Sequence, residues 1–497
     1  MKFTTPRRGG RIGAVAFASL LIAGTTLSLA GCTTASTNSD ATKIEYSVPP
    51  AVLTPVEVAG TTPMAAASID LGEYGYTETE YYADGKANRY RGASNMDSTT
   101  AEVIDSNHDY RTRVLVRTPE AGKFNGTLLV EWTNVTIGVD ADFVFAEAHE
   151  EYLREGYAYA VVSAQNAGID ALKSWSPKRY GSLHAASINA DPTTGEAIDA
   201  CPTPAPCPGD AYSWDIFSGV TEALLDTNSP DAALSGFDVA NVIAVGQSQS
   251  ASRLTGYYNT IQPIDNLFDG FVLWDRATNA LRDDVQAPAI SINSESLTPL
   301  FPVFPNGDNT RTWEIAGATH GSKYAAAYVD GMFTRDNGLK GPDGTPISFT
   351  EWVAPTCASE PIFSTVENGL VIADATDAIV KWIETGVPAP DTILFERDAD
   401  GNLVRDEQGN VKGGIQLADF LVPTAALNAF NGTNFPCAVS GSRTEFTSSE
   451  LANLYGSSSD YVAQVTSVTQ AVEKAGYILP VDAESVISAA KKVKISK

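Results

Sequence analysis

The five residues Gly246-Gln247-Ser248-Gln249-Ser250 follow directly on an apolar run, Asn241 to Val245, and open a segment of helical character that reaches Pro263. A chain that passes from a buried strand into a helix without a loop must hold its apex residue in a strained conformation. Only small residues two positions before and after the apex avoid a clash. Gly246 and Ser250 fill those positions, so the pattern reads as a nucleophile elbow that presents the Ser248 hydroxyl at the edge of a sheet. Ser250 stands where glycine is usual, but the steric demand is for smallness and serine meets it. Farther along, Gly317-Ala318-Thr319-His320 follows the strand-like run Thr312 to Ala316. A serine hydroxyl is a poor nucleophile at its ordinary pKa and needs a base in hydrogen-bond reach, with a third group to fix the tautomer of that base. Ser248 and His320 are the candidates for nucleophile and base.

The third group is an acid, and position along the chain points to Glu295 in Asn293-Ser294-Glu295-Ser296, after the second strand beyond the elbow. Asp275, at the tip of the preceding strand, is its rival, with Asp283 and Asp284 behind; a solvated loop carboxylate is the plain alternative for each. An oxyanion would be met by the backbone N–H of Gln249, next after the nucleophile, and by one from the loop after Thr127 to Trp132, from Asn134 or Val135. His108 sits in a polar loop, His149 on a helix and His184 in an irregular segment; of the three, only His184 is a candidate to touch a substrate.

A chain of 497 residues with 43% hydrophobic content buries a full core and exceeds one minimal domain. The formal charge of −27 repels nucleic acid and anionic lipid heads at long range, which favours a small neutral or weakly polar ligand and excludes nucleic acid as a partner. Residues 1–31 have a basic start with Lys2, Arg7, Arg8 and Arg11, an apolar stretch from about Ile12 to Leu29, and then Leu29-Ala30-Gly31-Cys32. Small residues before a cysteine at the end of an apolar stretch read as a lipoprotein signal, in which Cys32 is lipidated and the preceding segment removed. The expected location is therefore extracytoplasmic, with membrane attachment only through the Cys32 lipid. A transmembrane helix is the alternative, but the polar Thr33 to Asp40 follows at once without a basic stop-transfer cluster. The Arg7-Arg8 pair is a weak match to a twin-arginine export signal, because Gly9-Gly10-Arg11 follows it.

Cys201, Cys207, Cys357 and Cys437 remain, an even count that in an exported chain favours disulfides: Cys201 with Cys207 across a proline-rich loop, and Cys357 with Cys437 as a staple within the C-terminal third. Four histidines, none at metal spacing from these cysteines, argue against a metal site. Asp398 to Asn402 resembles the start of a calcium loop, but its glycine is misplaced and the closing glutamate is missing. No metal or other cofactor is expected.

Residues 32–60 read as a flexible tether and 61–390 as a catalytic domain, with a polar, proline-rich insertion at about 170–211. Residues 391–497 read as a C-terminal cap or extension packed on the core, with hairpin turns at Asp398 to Asn402 and Glu407 to Asn410 and helices at Leu451 to Tyr461 and Ser467 to Gly476. Strands are expected at Tyr110 to Arg117, Thr127 to Trp132, Tyr157 to Ser163, Gly270 to Trp274 and Ala289 to Ile292, and helices at Ala141 to Glu155, Asp215 to Leu225 and Asp374 to Thr385. This alternation predicts an α/β fold with a mostly parallel, doubly wound sheet.

From about Tyr110 to the C-terminus the chain resembles the secreted bacterial family called "alpha/beta hydrolase domain" proteins. The resemblance is carried by Val130-Glu131-Trp132-Thr133-Asn134-Val135, Arg179-Tyr180-Gly181-Ser182-Leu183, Val245 to Ala251, Ser294-Glu295-Ser296, Gly317 to His320, and Gly413-Gly414-Ile415 with Val422-Pro423-Thr424. It implies an α/β-hydrolase fold with a Ser-Glu/Asp-His triad and hydrolysis of carboxylic esters. Family members tend to show Glu-Thr-Glu or Glu-Thr-Asp where this chain has Ser294-Glu295-Ser296, which leaves Glu295 as the one acid there. A peptidase or amidase of the same fold, and a lipoprotein that binds a ligand without catalysis, are the competing readings.

Overall fold

The computed structural model describes residues 48–495 except 59–60, 95–97, 200–207, 228, 277–278 and 301–306. The leader at 1–31, Cys32, and the Cys201 and Cys207 pair lie outside the described residues. The described residues form one compact unit.

Its frame is a nine-stranded sheet of β1 Val52–Pro55, β2 Tyr76–Arg91, β3 Glu102–Pro119, β4 Thr127–Trp132, β5 Ala158–Val162, β6 Asn241–Gln247, β7 Gly270–Trp274, β8 Ala289–Ser294 and β9 Thr310–Ile315. The spatial order is β1-β2-β3-β5-β4-β6-β7-β8-β9. From β5 to β9 every neighbour is parallel, whereas β1, β2, β3 and β5 pair antiparallel. Sequence and pairing agree here: β4, β5, β6 and β7 are short apolar runs buried at every residue, as strands covered by helices on both faces must be. β2 and β3 form a long hairpin that carries more polar side chains.

The tether expected to run to residue 60 ends earlier, because Val52–Pro55 pairs with Tyr81 to Asp84 along the outer edge of β2. The prolines around this segment hide it from a strand reading, yet an edge strand tolerates proline where it needs only one row of hydrogen bonds. Pairing it also covers an otherwise open edge of a long hairpin.

Nine helices of eight residues or more cover the sheet among the described residues: α1 Phe143–Glu155, α2 Asn166–Trp175, α3 Ser213–Leu225, α4 Gln249–Gly256, α5 Lys323–Asp336, α6 Asn368–Thr385, α7 Ser448–Tyr455, α8 Ser458–Ala475 and α9 Pro480–Ala490. α1 and α6 cross very closely. A Cβ on Gly369 would lie 2.1 Å from the Glu147 carbonyl oxygen, so only glycine fits, and α1 leaves helical geometry at the adjoining Ala148.

The C-terminal helices α7–α9 form a small apolar core of their own with Ala418 and Val422. They join the main body through Arg154 to Asp482, 2.8 Å, and through Trp313 against Tyr477. The two expected turns appear where Asp398 and Asp406 each accept backbone N–H groups, from Asn402 and Asn410 among others. Among the described residues no helix is long and apolar enough to cross a membrane.

Candidate active site

The register of the sheet brings the expected nucleophile and one expected acid level with each other. Gln247, the last residue of β6, pairs with Trp274, the last of β7, so Ser248 and Asp275 each stand one residue beyond the same rung. Ser248 has φ 59° and ψ −116°, the strained apex an elbow requires, and its N–H is tied to the Trp274 carbonyl at 2.9 Å. Both small neighbours have a visible reason. A Cβ on Gly246 would come within 2.9 Å of Leu254 Cδ1 and 3.1 Å of the Ser250 carbonyl carbon. Ser250 does more than stay small: its hydroxyl donates to the Gln247 carbonyl at 2.8 Å and accepts from the Gln247 N–H at 3.0 Å, which closes the turn.

His320 follows β9 on the loop into α5, and its Nδ1 lies 2.8 Å from Asp275 Oδ2. Asp275 is fully buried, with φ 50°, and its carboxylate also accepts from the Ser294 N–H at 2.6 Å and the Ser294 hydroxyl at 2.7 Å. Glu295, the acid expected from position, is not beside His320. Its Oε2 accepts from the Gly317 N–H at 2.8 Å and its Oε1 pairs with Arg405 at 2.7 Å. The displacement has a structural cause: Asp275, directly after β7, is itself left-handed, and its carboxylate reaches the tip of β8, where Ser294 holds it in line with the imidazole. Asp283 and Asp284 stand away from this cluster, and Asp284 is paired with Arg282.

The whole Ser294-Glu295-Ser296 segment is scaffolding for that geometry. Ser294 holds Asp275, Glu295 holds Gly317, and the Ser296 hydroxyl accepts the His320 N–H at 2.9 Å. Behind the loop, buried Glu147 on α1 accepts from the Ser322 N–H and hydroxyl at 2.9 and 2.7 Å and from Asn368 Nδ2 at 3.2 Å, and Asn368 Nδ2 also reaches the Thr319 carbonyl at 3.1 Å. Burial pushes the Glu147 carboxyl up to about 7. Sequence reasoning passed over Glu147 because one acid in an amphipathic helix carries no signal of its partners 175 residues away.

Gln247 lay inside the singled-out pentad without an assigned role. Its amide nitrogen sits 3.1 Å from His320 Nε2 and 3.2 Å from the His320 carbonyl, while its amide oxygen accepts from Asn134 Nδ2 at 3.2 Å. With the Nδ1 proton donated to Asp275, Nε2 is the acceptor, the tautomer in which an imidazole serves as base.

The loop after β4 is pinned at both ends. Thr133 Oγ1 donates to Asp140, which also pairs with buried Arg113, and Asn134 exchanges two backbone hydrogen bonds with Ala141 at 2.9 and 3.0 Å. The Asn134 N–H is therefore engaged, and of the two oxyanion donors expected from this loop Val135 remains. Gln249, the other expected donor, stands at the first position of α4, where no preceding turn offers its N–H a carbonyl.

Ser248 and His320 face one cavity, walled on one side by Ala325, Ala326 and Val329 of α5. The lining also includes Phe349, Trp352 and Phe363, and Pro436, Val439 and the exposed Phe435, which marks the mouth. A disulfide between Cys357 and Cys437 ties these last two segments together. The other histidines lie elsewhere: His108 pairs with Asp105 and stacks on Tyr212, His149 is held in α1 against the Ala146 carbonyl, and His184 bonds the Ser182 carbonyl at an exposed site.

No curated protein matches the chain. Among solved structures, a stretch of it resembles Methylesterase BT1017 at 9% identity and TM-score 0.24, over 44% of this chain and 42% of that one, so less than half of that protein is spanned. A dienelactone hydrolase from Anabaena variabilis matches at 13% identity and TM-score 0.25, over 42% of this chain and 82% of its own. Est1E from Butyrivibrio proteoclasticus matches at 7% identity and TM-score 0.23, over 42% and 86%. The profile of the family described as "Alpha/beta hydrolase domain" covers residues 49–488, and with the elbow and the sheet that carries it, the chain belongs to that family.

Proposed function

We propose that this protein hydrolyses carboxylic esters through an acyl-enzyme, with Ser248 as nucleophile, His320 as general base and then acid, and Asp275 as the residue that orients His320. The observation that carries the reading is the 2.8 Å contact of Asp275 with His320 Nδ1, on a loop whose imidazole shares a cavity with a strained Ser248. His320 Nε2, turning away from the Gln247 amide that lies 3.1 Å from it, takes the Ser248 proton as Oγ bonds to the ester carbon, and the N–H groups of Gln249 and Val135 meet the negative oxygen. Collapse of that intermediate breaks the bond to the alcohol oxygen, which leaves with the proton from Nε2. Water then attacks the acyl-enzyme by the same route, releasing the acid and restoring Ser248. No step calls for a metal or an organic cofactor.

A fluorophosphonate probe tests the nucleophile. It should label the protein at Ser248, and Ser248→Ala should lose both labelling and turnover of p-nitrophenyl esters, since loss of a triad nucleophile costs on the order of 10⁶-fold in the best-studied cases. Faster turnover of matched anilides than of esters would move the reading to an amidase. We further propose that the mature chain is an extracytoplasmic lipoprotein anchored at Cys32, on the strength of Leu29-Ala30-Gly31-Cys32 after an apolar stretch. Labelled palmitate should enter the protein when it is expressed in a bacterium, and Cys32→Ala should abolish it; incorporation that survives the substitution would exclude this anchor.

A further inference from the structure

We propose that the cavity beside Ser248 restricts the substrate to esters with one short, uncharged hydrocarbon arm; this rests on the ester-hydrolysing reading above. The cavity offers about 50 Å³ to the centres of water-sized groups. A cavity must offer roughly 10–15 Å³ on the same measure to hold one water, so the space suits a small group and not a long chain. Its chemistry follows from the lining, where the one titratable side chain is His320 and the others are apolar or neutral. A carboxylate or ammonium on that arm would lose its hydration without a partner.

The walls are built to keep this size. Phe349 stacks on Trp352 and on Phe363 with ring centroids 6.1 and 6.2 Å apart, and Phe143 leans on Phe349 at 5.8 Å. Phe363 and Ala326 of the lining form a buried cluster with Val353, Ile362 and Cys437, against which Phe349 and Trp352 pack, so the aromatic wall has its own packed backing and the disulfide fixes it to the segment of Phe435 and Pro436. An interior packed in this way yields little to an extra methylene. Trp352 is itself only partly buried, so its truncation opens the wall without emptying the core.

Two series of esters test the proposal on the full-length protein: p-nitrophenyl esters from acetate to octanoate lengthen the acyl arm, and alkyl acetates from methyl to octyl lengthen the alcohol arm. In one series kcat/KM should peak at two to five carbons and fall about tenfold or more by eight, the range that pocket fit commands; the series that shows the fall identifies which arm enters. A monosuccinate ester should be poorer than the butyrate of the same alcohol by a similar factor. Trp352→Ala should raise the octanoate-to-acetate ratio about tenfold, and Ala325→Val should lower the butyrate-to-acetate ratio, each with fluorophosphonate labelling retained. If Trp352→Ala does not fold, the wild-type profiles decide alone. Esters hydrolysed with rates flat or rising through eight carbons in both series would overturn this inference while leaving the esterase reading intact. No hydrolysis of any ester, with no labelling of Ser248, would overturn both.

Discussion

Asp275 and His320 meet at 2.8 Å although 45 residues separate them, and the meeting depends on Ser294, whose N–H and hydroxyl hold both oxygens of the same carboxylate. Asp275 thus has three donors around a fully buried charge. A buried carboxylate so supplied keeps one orientation, which is what a group that sets the tautomer of an imidazole needs.

Asp275→Asn should therefore lower kcat by several orders of magnitude, on the order of 10⁴ by analogy with other triads, with KM changed little. Glu295→Gln should cost stability through the lost pairing with Arg405 while its amide oxygen still accepts the Gly317 N–H, and should leave kcat within about tenfold. Steady-state kinetics on the two purified variants decide the matter; a larger loss in Glu295→Gln than in Asp275→Asn would return the acid to the later strand.

How far this site is legible before folding depends on how local its determinants are. The elbow is legible because its steric demand falls within five residues, and β4 and β7 because a buried parallel strand is a short apolar block with sharp ends. The pairing of Cys357 with Cys437 is legible from the nearness of Cys201 to Cys207 along the chain, which leaves the other two for each other. The acid is not legible, since Asp275 and Glu295 both stand at strand tips and the choice rests on a left-handed turn at Asp275 that aspartate does not advertise. Asn134 fails as an oxyanion donor for a comparable reason, because its N–H is claimed by Ala141 across a loop that the sequence leaves open. Residues 49–55 hide behind their prolines, and Glu147 and Arg405 act through partners far along the chain.

Ser250 offers a sharper test of the elbow. Its hydroxyl bridges both backbone groups of Gln247 in a fully buried site. Ser250→Ala leaves the turn sterically sound but unbonded, and should lower stability by about 1–3 kcal/mol, the cost of a buried polar group deprived of its partner. Chemical denaturation should detect this with kcat reduced only a few fold. A loss of activity as deep as that of Ser248→Ala would mean that Ser250 takes part in the chemistry.

Several buried carboxyls predict an unusual pH dependence of stability. Burial raises Glu147, Asp215 and Glu367 to about 7 and Glu151 and Asp374 to about 8. A carboxyl raised in the fold binds its proton more tightly there than in the unfolded chain. Its stabilising contribution is complete below the unfolded value near 4–4.5 and is lost as pH rises through 7 to 8. Among the lowered carboxyls Asp284 and Asp343 are exposed and Asp191 is buried against Arg91, and what they contribute is lost only below about pH 4. Tm should therefore fall between pH 5 and pH 8, and Asp374→Asn should flatten that fall. A Tm that climbs toward pH 8 would show that these groups ionise freely in the fold.

The Cys357–Cys437 disulfide closes a separation of 80 residues, for which the chain-entropy account gives about 4–5 kcal/mol of stabilisation. Its position gives it a second consequence. Cys357 follows the helix that carries Phe349 and Trp352, and Cys437 follows Phe435 and Pro436, so the bond joins one wall of the cavity to its mouth. None of Ser248, His320 and Asp275 is held by either segment through a side chain; the link from this side is the His320 N–H to the Val439 carbonyl at 3.0 Å. Replacing both cysteines with alanine should accordingly lower Tm and raise the octanoate-to-acetate ratio, while reactivity toward acetate and labelling of Ser248 persist. Mild reduction of the wild type should reproduce the effect, and the double variant should be indifferent to the reductant. Equal loss of all esters on reduction would instead place the disulfide in support of the triad, through Val439 and the loop that carries His320.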